Sequence, residues 1–120
     1  MKPKYHFYSN TIYALSGLKA MVKNERSFKI ELFIITPLFI AIWFLPLSSI
    51  EQIILGASLL FILAMECVNS AIEACIDLVS PDFHPLAKLA KDCGSAAVFI
   101  SICTAVLAWG VILFRAVSNA

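Results

Sequence analysis

Charge is what this chain has least of. Asp, Glu, Lys and Arg make up 14% of its 120 residues against 61% hydrophobic residues, and the mean hydropathy is +0.89. Nine basic and eight acidic side chains cannot clothe a 13.2 kDa soluble globule whose remaining surface would be Leu, Ile, Phe and Val. Lipid must do so, which makes the chain an integral membrane protein. A net charge of +1 leaves no basic excess for nucleic acid. Glycine is scarce: Gly17, Gly56, Gly94 and Gly110 are scattered, so neither a Walker loop nor a kinase Gly-rich loop is present. Cys67, Cys75, Cys93 and Cys103 have neither CxxC nor metal-ligand spacing and read as reduced, packed thiols. The start Met1-Lys2-Pro3-Lys4 precedes no clean apolar core with a cleavage site, which argues against a removable signal peptide. No repeat, low-complexity tract or second domain is visible, so residues 1–120 read as one all-α membrane domain.

Hydrophobic periodicity divides that domain into four helical segments. Over about 5–24, apolar residues at 8, 12, 15, 18 and 22 repeat at helical spacing beside Tyr and Lys, the pattern of an amphipathic helix lying in the membrane interface. After Asn24-Glu25-Arg26, the first transmembrane segment is expected over about 30–47, with Pro37 as a kink. Pro46 to Glu51 reads as a tight turn in which Ser48 or Ser49 caps the next helix and Glu51 sits near its positive end. The second transmembrane helix is expected over about 53–79, ended by Ser80-Pro81-Asp82. Residues 82–93 read as a polar connection, and 94–116 as the third span, uncharged from Gly94 to Phe114. Lys2, Lys4, Lys19, Lys23, Arg26 and Lys29 precede the first span, and Lys88 and Lys91 lie in the second connection. The positive-inside rule then puts the N-terminus and second loop of a multi-pass protein in the cytoplasm.

One stretch breaks the apolar pattern. Glu66, Asn69, Glu73 and Asp77 follow one another at helical spacing and form a single polar stripe on an otherwise apolar helix. An ionisable residue inside a membrane span costs about 2.5–3.5 kcal/mol or more, so such a stripe is a functional-site hypothesis. At about 1.5 Å per residue, Glu66 lies roughly 20 Å from the start of that span and Glu73 roughly 30 Å, so the stripe emerges at one membrane face.

These residues permit phosphoryl transfer. Mg²⁺ is held by one or two carboxylates together with substrate phosphates and water, and Glu73 with Glu25 would supply such a pair if the surface helix folds back onto the second span. Lys91 can neutralise phosphate charge. Glu66, deeper in the hydrocarbon, stands where a base for a lipid hydroxyl would have to stand, and Asn69 can hydrogen-bond either carboxylate or that hydroxyl. Plainer readings compete. Glu73 and Asp77 suit a helix end near water, Lys88 and Lys91 serve as topology signals, His84 is a loop histidine, and Glu25 and Glu31 are partners of Arg26, Lys29 or Lys23. A small ion or proton transporter subunit is a rival function, although Ile53 to Met65 offers such a path only Gly56 and Ser58. A non-catalytic scaffold with the stripe as interfacial glue is another.

The run Glu66-Cys-Val-Asn-Ser-Ala-Ile-Glu-Ala-Cys-Ile-Asp77, followed by Ala-Lys91-Asp92-Cys-Gly-Ser-Ala-Ala-Val98, resembles the signature of the prokaryotic diacylglycerol kinase family. Tyr13, Gly17-Leu18-Lys19 and Asn24-Glu25 fall at that family's spacing. The resemblance implies a homotrimer of three-span chains, each with a surface helix, and sites shared between subunits at the cytoplasmic interface. It implies ATP as co-substrate with Mg²⁺, Glu66 as catalytic base with Asn69 beside it, and Glu25 and Glu73 as metal ligands. It further implies nucleotide contacts from Tyr13, Asp82, Phe83, His84, Lys91 and Asp92, and Lys19, Glu31 and Ser95 near the lipid. The expected reaction turns diacylglycerol into phosphatidic acid, with undecaprenol as the alternative acceptor. Two departures bear on this: His6 stands where relatives often have Arg, and Leu15 where they have Trp. His84-Pro-Leu-Ala-Lys88 looks like the undecaprenol branch, Gly94-Ser-Ala-Ala-Val98 like the diacylglycerol branch.

Overall fold

The structure, a computed structural model, describes residues 6–119. Lys2 and Lys4 of the topology argument, and Tyr5 at the expected start of the surface helix, lie outside the described residues. Among the described residues the regular structure is helical: α1 (Phe7–Asn24), α2 (Arg26–Ile42), α3 (Ser49–Val79) and α4 (Pro85–Ser118). α3 and α4 form the principal pair, α2 lies along α3, and α1 meets α2.

Glu25 is the joint between α1 and α2. Its backbone is extended, at φ −103° and ψ 111°, and it ends one helix and begins the next. The Glu25 N–H donates to Met21 O at 2.9 Å while its carbonyl accepts from Lys29 N at 3.2 Å, so the turn leaves neither group unpaired. Buried Met21 and Phe28 flank the joint and hold it.

The helix expected over 30–47 ends at Ile42. Pro46 disfavours helical backbone at Leu45, so the chain tightens first. Phe44 N donates to Ala41 O at 3.0 Å and Leu45 N to Ile42 O at 3.2 Å, each spanning three residues rather than four. Gln52 Nε2 of α3 also donates to the Ile42 carbonyl, at 3.2 Å, so a helix end is satisfied by its neighbour. Pro37 is accommodated within α2. The 17 residues of α2 span about 26 Å, less than a hydrocarbon core of about 30 Å.

α3 and α4 are the helices long and apolar enough to cross a membrane. α3 starts at Ser49, earlier than the expected 53, because Ser48 and Glu51 form a capping box: Glu51 N donates to Ser48 Oγ at 3.2 Å and Ser48 N to Glu51 Oε1 at 3.0 Å. The polar connection expected over 82–93 is largely the first turns of α4. His84 Nδ1 accepts from Leu86 N at 3.1 Å as the N-cap, and Pro85 takes the first helical position, where its missing N–H costs nothing. Leu86-Ala-Lys-Leu-Ala-Lys91 then consists of strong helix formers, whose polarity marks water rather than a loop.

The 34 residues of α4 extend about 51 Å, well beyond the hydrocarbon thickness, which carries the start of α4 and the end of α3 into the interface. The core joins Ile35 and Ile42 of α2, Leu55, Leu59 and Ile62 of α3, and Ala105 and Ile112 of α4. Buried Ser58 and Ser101 let α3 and α4 approach closely, their hydroxyls satisfied by Leu55 O at 2.7 Å and Val98 O at 2.6 Å.

Candidate active site

The polar stripe of α3 faces a different neighbour at each turn. At Glu66 its carboxyl lies against that of Glu31 from α2. At Asn69 it meets α4 so closely that a Cβ on Gly94 would collide with Asn69 Oδ1. At Asp77 it reaches Lys91 of α4, whose Nζ lies 2.6 Å from Asp77 Oδ1. Glu73 sits one turn before Asp77, half-buried. The stripe thus runs along the seam of the bundle from within the apolar helix to its wet end.

A cavity of about 390 Å³ opens at that end, where α3 stops and α4 begins. Asp77, Asp82, Phe83, His84, Lys88, Lys91 and Asp92 are among its lining residues. Lys88 pairs with Asp92 at 2.6 Å, one helical turn apart, so each lysine of the cavity is held by a carboxylate. Both pairs are solvent-exposed, so each contributes little to stability and exchanges readily. Five of the expected nucleotide contacts, Asp82, Phe83, His84, Lys91 and Asp92, share this cavity. Tyr13 lies on the exposed face of α1 and does not line it, and neither do Glu25 and Glu73. His84 carries a second task as the α4 cap.

The carboxylates have no cations. Among the described residues the ion pairs are Lys88–Asp92 and Lys91–Asp77, which leaves Glu25, Glu31, Glu66 and Glu73 unpaired. Glu25 begins α2, yet its side chain makes no capping bond, so its carboxylate is free for another ligand. No group of three or more His, Cys, Asp or Glu gathers among the described residues, so one chain offers no closed all-protein cage. Mg²⁺ keeps water and substrate phosphates in its shell and takes one or two carboxylates from protein. Glu73 and Glu25 are the residues that would hold it.

Two apolar recesses adjoin the stripe on its other side. One, of about 490 Å³, lies between Leu18 and Val22 of α1, Phe28 and Leu32 of α2, and Leu60, Leu63 and Cys67 of α3. The second, of about 530 Å³, lies between Gly17, Leu18 and Met21 of α1 and Cys67, Ser70 and Ala71 of α3. α1 therefore lies over the half of α3 that carries Glu66. Lys19 is exposed on α1 and Ser95 on α4, and among the described residues neither lies in an ion pair.

Over residues 12–113 the sequence matches the profile of prokaryotic diacylglycerol kinase. The chain belongs to that family. It is 41% identical over 109 residues to the diacylglycerol kinase of Haemophilus influenzae, covering 91% of this chain and 92% of that protein. The diacylglycerol kinase of Escherichia coli K12 is 38% identical over 103 residues, 85% of this chain and 84% of that protein. That of Pseudomonas aeruginosa is 39% identical over 104 residues, 86% and 84% respectively.

Three residues of the seam have no specific role in the sequence reading of this family member. Asp77 was as plausible a plain helix end as a site residue, Lys88 a topology signal, and Gly94 part of a motif with no assigned task. The spacing of Lys88 to Asp92, four residues on one helix, was a legible signal. Asp77 with Lys91 and Asn69 with Gly94 join two helices, and nothing local announces them.

Proposed function

We propose that the chain is an ATP-dependent, Mg²⁺-requiring kinase of the inner membrane that converts diacylglycerol to phosphatidic acid. The observation that carries this reading is the unbroken course of the α3 stripe, from Glu66 beside the apolar recesses to the Lys91 cavity, in a member of the prokaryotic diacylglycerol kinase family. A lipid hydroxyl and a nucleotide phosphate have to meet, and a stripe joining an apolar end to a cationic end is where they can.

In this reading the acyl chains lie in the apolar recesses under α1, and the glycerol hydroxyl reaches Glu66 and Asn69. Glu66 takes or orients the hydroxyl proton as the oxygen attacks the γ-phosphorus and the bond to the bridging oxygen breaks, releasing ADP. Asn69 holds that oxygen by hydrogen bond. Bound Mg²⁺ would neutralise and orient the phosphates, with Glu73 and Glu25 as its protein ligands. Lys91 leaves Asp77 for the phosphates, and Asp82, Phe83, His84 and Asp92 form the rest of the nucleotide cavity. Lys19, Glu31 and Ser95 border the lipid side, and Tyr13 contacts nucleotide from another direction. The reading includes a third membrane crossing by α2 with its following turn, the second loop and N-terminus in the cytoplasm, and a homotrimer whose subunits complete one another's sites. The unpaired Glu25 and Glu73 support that last element, since a single chain leaves them without partners.

The deciding assay supplies the purified chain with labelled ATP, Mg²⁺ and either diacylglycerol or undecaprenol. Label in phosphatidic acid that is lost in Glu66→Gln and Glu73→Gln supports the reading. Label in undecaprenyl phosphate moves the acceptor, and label in neither lipid from a well-folded oligomer defeats it. An active Glu66→Gln enzyme removes the base assignment alone.

A further inference from the structure

We propose that Gly94 is a positioning residue for the reaction, acting by fixing the orientation of the Asn69 amide. The inference rests on the role given to Asn69 above. A Cβ built on Gly94 would collide with Asn69 Oδ1 and would stand 3.4 Å from its Cγ and 3.5 Å from Ile72 Cδ1. Glycine is not there for its backbone freedom, because no residue of the described chain has a positive φ and Gly94 lies in the interior of α4. In that setting glycine weakens a helix relative to alanine. What the position uses is the missing side chain.

The space is filled by a functional group rather than by packing carbon. Gly94 is buried, and Asn69 Oδ1 against it is buried and accepts no hydrogen bond. A side-chain carbonyl in such a place forgoes a partner it could have had elsewhere. The return is orientation. With Oδ1 lodged against α4, the amide plane is set, and the Nδ2 hydrogens are the end left free to donate to a carboxylate of the stripe or to an acceptor oxygen. Glu66 and Glu73 lie on the same face of α3, one turn to either side of Asn69.

A methyl group at 94 would meet the far end of a two-torsion side chain, not backbone. Asn69 therefore turns and the helices stay together. The consequence is a dissociation of signs: alanine favours the helix while it misdirects the amide, so stability holds or rises as turnover falls. A merely structural glycine, needed for close helix approach, would lose both at once.

The test compares Gly94→Ala, Val98→Ala and Asn69→Ala in the full-length membrane chain, with ATP, Mg²⁺ and whichever lipid the assay above labels. For Gly94→Ala we expect kcat to fall on the order of a hundredfold, the scale of an approximately 1 Å misplacement at a reacting centre. KM for ATP should stay within about twofold, since the nucleotide cavity is untouched, and the thermal unfolding midpoint should not drop. Val98→Ala, which removes a buried side chain one turn further along α4, should lower the midpoint and leave kcat near that of the parent. Parent-like turnover in Gly94→Ala overturns the proposal, as does loss of assembly or a midpoint that falls together with kcat. Asn69→Ala separates the two layers. If it remains active, the role of Asn69 is wrong; if it is inactive while Gly94→Ala is active, only the inference about Gly94 fails.

Discussion

Lys91 of α4 is tied to Asp77 of α3 beside the cavity where α3 stops and α4 begins, Nζ to Oδ1 at 2.6 Å. The two side chains are 40% and 64% exposed, so the pair contributes less than about 1 kcal/mol to stability. In the proposed reading it supplies placement, keeping a flexible lysine over the cavity for the phosphates of ATP. Lys91→Ala should therefore leave the melting temperature nearly unchanged and lower kcat/KM for ATP by about tenfold to a hundredfold, the worth of a charged hydrogen bond. Asp77→Asn should cost far less in kcat/KM, because the lysine remains. Steady-state kinetics against ATP, with thermal unfolding of each variant, checks both expectations.

Glu25 and Glu73 have no cation among the described residues and make no ion pair. If they bind Mg²⁺ with the phosphates, removing either carboxylate weakens the metal more than the nucleotide. Glu73→Gln and Glu25→Gln should each shift the Mg²⁺ dependence of turnover to higher concentration by about tenfold or more, the size of one lost charged contact. A Mg²⁺ titration at fixed ATP reads this directly. An unchanged midpoint with reduced maximal rate would assign the carboxylates to something other than metal.

The helices and the polar stripe could be read from the sequence because their signals are local: apolar periodicity, and Glu66, Asn69, Glu73 and Asp77 on one helical face. Where that reading slipped, polarity or length was taken for a boundary. Residues 82–93 read as a polar connection because they carry charged side chains, although His84 and Pro85 are a helix start and the residues after them are helix formers. The helix expected to reach Leu47 stops at Ile42 because Pro46 acts back on Leu45 and Gln52 supplies an acceptor's missing donor from another helix. The meeting of Glu31 with Glu66, of Asn69 with Gly94 and of Lys91 with Asp77 depends on how helices pack, which no sequence window contains.

Ser48 provides a control far from the site. Its hydroxyl accepts from Glu51 N at 3.2 Å in the capping box that begins α3, at the end of that helix opposite the stripe. Ser48→Ala should destabilise the protein by about 1 kcal/mol. Turnover per folded enzyme should be unaffected, as measured by kinase activity normalised to the oligomer fraction. A fall in specific activity would reveal coupling along α3 between its two ends.

Glu31 tests the carboxyl pair of the seam. Its carboxyl lies against that of Glu66, and its Oε2 is buried without a hydrogen-bond partner. Two carboxyl groups this close bond only by sharing a proton, whereas an amide in place of one of them brings a permanent donor. Glu31→Gln should replace that proton-dependent contact with a permanent one, the glutamine Nε2 donating to the Glu66 carboxylate, with a gain of roughly 1 kcal/mol in stability. That same bond would occupy the proposed base, so turnover should fall even as the melting temperature rises. Thermal unfolding and kcat measured on one preparation decide the matter. A variant that is both less stable and less active would mean that the Glu31 carboxylate holds a bound cation or a partner subunit, and one unchanged in both would detach Glu31 from the site.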